Sequence, residues 1–313
     1  MLGVGIDVSK DELVVVVHGE EAVHRFSNDR RGIGKLLRWL KGLKPSTVVL
    51  EASGGYETEA LLRLTEASIA VARINGEQGK AFARAHNYRA KTDPIDASVL
   101  AHFAAVMPVT LFKAPSPELQ RLNALSRQRH DVVIMLASQR CRLKQQKDSA
   151  ALRSIRTLIR ALEKETRRLA VELEHQLDSV PDFALKASLL SSLGGFRAIN
   201  AANLIAALPE LGTLSRPQAA ALAGVAPFNR DSGLQSRKRS IRGGRTLARL
   251  PLYMASVTLV RRNPTFKAFY ERLLVRGKQK KVALTACMRK LVVIINAMFR
   301  DQRPWQPLPA TGS

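Results

Sequence analysis

The chain has 313 residues and carries 50 Lys+Arg against 26 Asp+Glu, a formal net charge of +24. With 46% hydrophobic residues it can bury a substantial core, which excludes a disordered basic tail, and the length suggests about two domains. Two cysteines exclude a disulfide scaffold or a Cys-rich zinc site, no apolar run approaches the ~20 residues of a membrane helix, and the charge points to a polyanion, most simply nucleic acid.

The first third reads as α/β. Leu2–Asp7 is a short apolar run ending in a carboxylate. Glu12–His18 and Ala22–Ser27 follow after short links, so these three strands form an antiparallel meander. Ile33, Leu36, Leu37 and Leu40 repeat at helical spacing, and Gly42 and Pro45 end that helix. Thr47–Glu51 is a buried-strand pattern that again ends in an acid. Tyr56–Ala67 reads helix, Ile69–Ile74 strand and Glu77–His86 helix. Three strands, helix, strand, helix, strand, helix is the order of the ribonuclease H-like fold. A doubly wound sheet would need helices between the first three strands, and the links are too short for them.

Pro115–Pro117 marks a boundary. From Glu118 to Val180 there is no Pro or Gly, which favours one or two long helices, a helical hairpin or coiled coil. Pro181–Leu250 reads as a second, mostly helical domain. Within it, Ser192–Ala198 resembles a helix-hairpin-helix turn, with Phe196 where the usual hairpin has a second Gly. Ala219–Gly224 is helical and Val225–Gly233 a loop. A basic run follows: Arg237, Lys238, Arg239, Arg242, Arg245 and Arg249. Further helices are expected over Pro251–Arg262, Thr265–Val275 and Lys281–Phe299, and the tail from Pro304 frays. Residues 1–100 hold 14 basic and 13 acidic side chains, so nearly all the positive surplus lies beyond them. That places a nucleic-acid-binding surface in the later part of the chain, with Lys278, Lys280 and Lys281 in its last third.

Four acids stand out by position. Asp7 ends the first strand in GIDVSK, Glu51 ends the fourth in VLEASGGYE, and Asp93 and Asp96 sit in KTDPIDA. A carboxylate at the end of an apolar strand is costly unless paired or metal-bound. In KTDPIDA, Pro94 suits the first helical position and Asp93 the N-cap, with Asp96 three residues on. Converged carboxylates are what hard, oxygen-seeking cations need, and such ions activate oxygen chemistry at phosphorus. Taken singly, Asp93 also reads as a helix cap and Glu51 as the start of a loop. A GID-type first strand also opens the sugar-kinase and actin-like fold, but the further Gly-rich phosphate loops of that fold are missing here.

GIDVSK, LEASGGYE and KTDPIDA, followed by GVAPFNRDSG, IRGGR and VALTACMRKL, resemble the insertion sequence one-hundred-ten transposases, DEDD-type elements described as bridge-RNA-guided recombinases. The resemblance covers nearly the whole chain. It implies a RuvC-like nuclease domain over 1–114, a coiled-coil middle over 115–180, a mainly α-helical transposase domain over 181–303 and a tail over 304–313. It implies that Asp7, Glu51, Asp93 and Asp96 are the metal-binding catalytic acids, with Mg²⁺ as the ion and Mn²⁺ as a substitute. It implies that Ser232, in Asn229-Arg230-Asp231-Ser232-Gly233, is the catalytic serine. Its implied partners are donor and target DNA, a structured guide RNA from the element, and further copies of the chain in a dimer or tetramer. The implied setting is a bacterial-type cytoplasm at the nucleoid; MLGVGIDVSK has no signal-peptide character.

Ser232 also has a physical reading. No His lies near it in sequence, while Arg230, Arg237, Arg239, Arg242 and Arg245 surround it. Guanidinium groups clamp phosphate and stabilise charge on its oxygens. Two other readings stand beside the recombinase. One is a RuvC-like junction resolvase that uses water and leaves Ser232 idle. The other is a non-catalytic nucleic-acid-binding protein whose acids are only caps.

Overall fold

The computed structural model describes residues 2–90, 92–228 and 240–306. The chain divides into two compact units, Met1–Pro115 and Ser116–Ser313.

In the first unit, strands β1 (Gly3–Val8), β2 (Glu12–Val17) and β3 (Val23–Ser27) pair antiparallel in sequence order. Helix α1 (Arg30–Leu43) carries the chain to β4 (Thr47–Glu51), which pairs parallel with β1. Helix α2 (Thr58–Glu66) leads to β5 (Val71–Ile74), parallel to β4. The sheet order β3-β2-β1-β4-β5 is the ribonuclease H-like order expected from the sequence. Helices α3 (Gly76–Ala85) and α4 (Asp93–Val106) complete the unit. The helix expected from Tyr56 begins only at Thr58, because Gly54 and Gly55 hold left-handed backbone and the preceding residues turn.

Strand alternation assigns each face its helices. Val4, Ile6, Val8, Leu13, Val15 and Val17 point toward α1 and α2, in one cluster with Ile33, Leu36, Leu40 and Leu61. On the other face Val14 and Val16 cluster with Ala97 and Ala101 of α4. Here β1 carries Gly3, Gly5 and Asp7. A Cβ on Gly5 would lie 2.1 Å from the Ala97 carbonyl oxygen and 2.2 Å from the Ala101 nitrogen. The glycines let α4 lie directly on the strand, and Asp7 follows two residues beyond that contact.

In the second unit, α5 (Pro117–Gln145) and α6 (Ser149–Ser179) form an antiparallel hairpin. Arg140 bonds Glu163 at 2.7 Å toward its tip, and Arg121 bonds Glu172 at 3.5 Å toward its base. Of the helical hairpin and the coiled coil that the sequence allowed here, the hairpin is the one formed within the chain. Its base is part of the C-terminal core, since Leu122, Leu173 and Leu177 pack with Phe183, Leu190 and Leu204.

Helices α7 (Pro181–Ser192) and α8 (Ala198–Ala207) follow, joined by a turn with Gly194 at φ 74°. Phe196, the departure from the usual hairpin, is buried in that same core. Then come α9 (Arg216–Leu222), the short strands β6 (Pro227–Phe228) and β7 (Ser240–Ile241), and α10 (Thr246–Arg262), α11 (Pro264–Val275) and α12 (Lys280–Asp301). The start expected for α10 at Pro251 is displaced: the proline lies inside the helix and is buried with Ala248 and Leu252. Among the described residues only α12 is long and apolar enough to cross a membrane, and half of that stretch is buried in the core.

Candidate active site

Asp7 and Glu51 end neighbouring parallel strands. Ile6 pairs with Leu50, so the two acids lie level and on the same face, the one that α4 covers. Helix α4 brings the other two. Its N-cap is Thr92, whose hydroxyl accepts from the Ile95 N–H at 3.4 Å; the expected cap, Asp93, is instead the first helical residue. Extended backbone at Thr92 (φ −148°, ψ 155°) gives it the capping geometry, so the capping oxygen does not come from an acid. Asp93 and Asp96 both stand in the first turn, where the positive end of the helix favours carboxylates.

The electrostatics register the gathering. The Asp7 carboxyl is pushed from its ordinary 3.8 up to about 6, first by burial and then by Asp96 and Asp93, with a smaller push from Glu51. The backbone hydrogen bond from Val8 opposes the shift. Among the described residues no three His, Cys, Asp or Glu side chains close on a single point as an ion's ligands would. The donor set still suits a hard divalent cation: it is all carboxylate oxygen, and Asp7 carries an unfavourable charge that a cation would relieve.

The loops at this edge of the sheet are tied together by two residues the sequence reading passed over. Asn28 donates its amide to the Ser9 carbonyl at 2.8 Å and the Tyr56 carbonyl at 3.1 Å, joining the turn after Asp7 to the loop after Glu51. Glu57 is buried and accepts from the N–H groups of Ser53 (3.2 Å) and Gly55 (2.9 Å) and from the Ser53 hydroxyl (3.1 Å). Burial pushes its carboxyl up, but the backbone and hydroxyl donors outweigh that and hold it below the usual range. The signal was present in ASGGYE: a Ser-Gly-Gly turn offers free N–H groups, and an acid two residues on can collect them.

In the folded protein Asp7 keeps its proton up to about 6, against 3.8 ordinarily. Folding takes up a proton between those values, so stability falls as pH rises through that window and stays lower above it. Asp7→Asn removes this penalty. In chelator, its melting temperature should match wild type near about pH 4 and exceed it at about pH 7.5, by on the order of 2–4 °C. Equal melting temperatures at the higher pH would show that Asp7 is not crowded by its neighbours.

In the second unit, Ser232 and the basic residues Arg230, Arg237, Lys238 and Arg239 lie outside the described residues. The segments that flank them are held together. Pro227 pairs with Ile241 and Phe228 with Ser240. Gly244, at φ 70°, packs so closely on Gly224 that a Cβ there would lie 2.2 Å from the Gly224 nitrogen. GVAPF and IRGGR thus meet in space. Two of the expected nucleic-acid contacts have partners within the protein. Arg245 donates to Glu210 at 2.7 Å and to the Ala207 carbonyl at 2.9 Å, and Arg249 donates to the Gly243 carbonyl at 3.1 Å. Lys278, Lys280 and Lys281 are exposed.

A ribonuclease H-like sheet with carboxylates gathered at one edge, in a chain with so large a basic surplus, defines a polynucleotide-processing enzyme. Residues 4–155 match a family model described as a transposase, the DEDD type of IS110, and residues 187–271 match the model described as "Transposase IS116/IS110/IS902 family". Pilin gene-inverting proteins of Moraxella bovis and Moraxella lacunata are each 28% identical over 313 residues, covering 96% of this chain and 97% of the relative. The Thermus thermophilus RuvC structure covers 36% of this chain and 100% of its own at 17% identity, with a TM-score of 0.27. The chain belongs to the IS110 family of transposases and is a DNA transposase/recombinase.

Proposed function

We propose that this transposase cuts and rejoins DNA with a metal-dependent acid centre and a serine nucleophile, directed by a structured RNA from its own element. The observation that carries the reading is the crowding of Asp96, Asp93 and Glu51 around Asp7. These four acids would hold Mg²⁺, or Mn²⁺ in its place, and the bound ion would supply Lewis acidity to a phosphate oxygen. Ser232 provides the attacking oxygen. Its hydroxyl loses a proton, its oxygen bonds to phosphorus, and the bond from phosphorus to the leaving deoxyribose oxygen breaks as that oxygen takes up a proton. An incoming strand hydroxyl reverses the step and frees the serine. Arg230, Arg237, Arg239 and Arg242 neutralise the phosphate oxygens. The rival use of water ends in two free strands, whereas inversion, the event in the relatives' name, requires rejoining.

EDTA should abolish cleavage of end-labelled DNA, and Mg²⁺ or Mn²⁺ should restore it. Cleavage by the wild type in metal-free buffer would overturn the acid centre.

The exposed Lys278, Lys280 and Lys281 belong to a surface for nucleic acid in which shape and backbone, more than base sequence, are read. Affinity for random duplex DNA should fall by about 10³-fold or more between roughly 50 and 200 mM salt. The element's untranslated RNA should stay bound, because contacts to folded RNA depend on shape as well as charge. Equal affinities across a salt titration would remove the RNA from the reading. The active form is a homo-oligomer, dimer or tetramer. Ile134 and Met135 on α5 and Leu158 and Val171 on α6 are exposed along the hairpin, apolar surface that a second copy would cover.

A further inference from the structure

We propose that Gly76 and Gly79 form a seat that positions the Glu51 carboxylate; the proposal rests on the reading of Glu51 as a metal ligand. Glycine inside a helix is less favourable than alanine, so two within the first turn of α3 need a reason. Backbone conformation does not supply one, since neither lies in the left-handed region. Nor does a weak helix start: Asn75 and Gln78 form a complete capping box around that turn.

The reason is space. A Cβ on Gly76 would lie 2.7 Å from Oε1 of Glu51, and a Cβ on Gly79 would lie 2.9 Å from its Oε2. The two positions are three residues apart and face the same way, so each makes room for one oxygen. The next atom outside Glu51 near the Gly79 position is Ile74 Cδ1, at 3.8 Å. An added methyl group therefore meets the carboxylate and little else. Gly5 differs, because there a Cβ would strike the backbone of α4. Substitution at Gly5 would disturb the fold, whereas substitution at Gly79 would move the end of one flexible side chain. Gly76 and Gly79 are thus positioning residues: they set where Glu51 places its oxygens beside Asp7.

The test uses the full chain, Mn²⁺ titration calorimetry, and thermal melts in chelator. Four proteins are compared: wild type, Gly79→Ala, Glu51→Ala and the double variant. Gly79→Ala should weaken Mn²⁺ binding by about tenfold or more. Its melting temperature should stay the same or rise, because alanine favours the helix. In the Glu51→Ala background, Gly79→Ala should have no further effect on binding, since the carboxylate it displaces is gone. A merely structural glycine would lower the melting temperature and weaken binding in both backgrounds. If Gly79→Ala binds Mn²⁺ like wild type while Glu51→Ala binds weakly, the seat is overturned and the ligand reading survives. If Glu51→Ala binds like wild type, the ligand reading fails and the seat with it. Should Gly79→Ala not fold, Gly76→Ala carries the same comparison against the other carboxylate oxygen.

Discussion

Asp7→Asn protein is expected to lose DNA cleavage and strand exchange by at least about 10³-fold while binding DNA and RNA within about twofold of wild type. A cation at a phosphate oxygen is worth several kcal/mol, and each ~1.4 kcal/mol is a factor of ten in rate. The amide keeps the size of the side chain but removes the charge that attracts a cation. Binding survives because affinity for a polyanion comes from basic side chains, and the basic surplus lies beyond residue 100. Cleavage is read on a denaturing gel with end-labelled DNA, and binding by filter retention at fixed salt. Strand exchange at the wild-type rate would reduce the acids to caps and loop anchors. Loss of binding in step with cleavage would mean that Asp7 supports the fold rather than the chemistry.

The sheet was legible because most of its strands are short apolar runs between turn residues, while β3 (VHRFS) follows β2 as the next leg of the meander. Links of three and five residues force β1, β2 and β3 into a meander. The acids were legible for the same reason: Asp7 and Glu51 break apolar patterns at strand ends, where a charge is conspicuous. What the sequence does not carry is the third dimension between elements. Asp93 suits an N-cap by residue type, but Thr92 takes that place, and only the backbone angles at Thr92 decide between them. Gly76 and Gly79 read as weak helix positions until the Glu51 oxygens are seen lying over them. Asn28 joins two loops from a third, a relation with no local pattern. At Arg245 and Arg249 the sequence is silent in another way, about the partners these side chains have within the fold. A basic run reads as a surface for phosphate, yet Glu210 and the Gly243 carbonyl claim both guanidinium groups. Leu-rich sequence without Pro or Gly fits a coiled coil and a hairpin equally, and the three-residue break at Gln146–Asp148 decides for the hairpin.

Ser232→Ala protein is expected to lose recombination entirely while keeping its affinity for RNA and DNA. A phosphoserine link conserves the energy of the broken phosphodiester, so strands can rejoin without ATP; attack by water dissipates that energy. The acids belong to the first unit and Ser232 to the second; in the proposed homo-oligomer, acids from one protomer would work with the serine of another. Mixing Ser232→Ala with Asp7→Asn protein should then restore part of the activity, because a mixed oligomer can hold one site with both an intact acid set and an intact serine. Neither variant alone can do so. Two copies that each supplied a whole site would give no more activity mixed than apart. The chemical step is read directly: wild type with end-labelled DNA should yield a protein–DNA adduct on a denaturing gel. Ser232→Ala should yield none, and Asp7→Asn none, since the nucleophile and the acids are both needed to form the bond. An adduct with Ser232→Ala, or recombination near the wild-type rate, would remove the serine from the mechanism and leave water as the attacking oxygen.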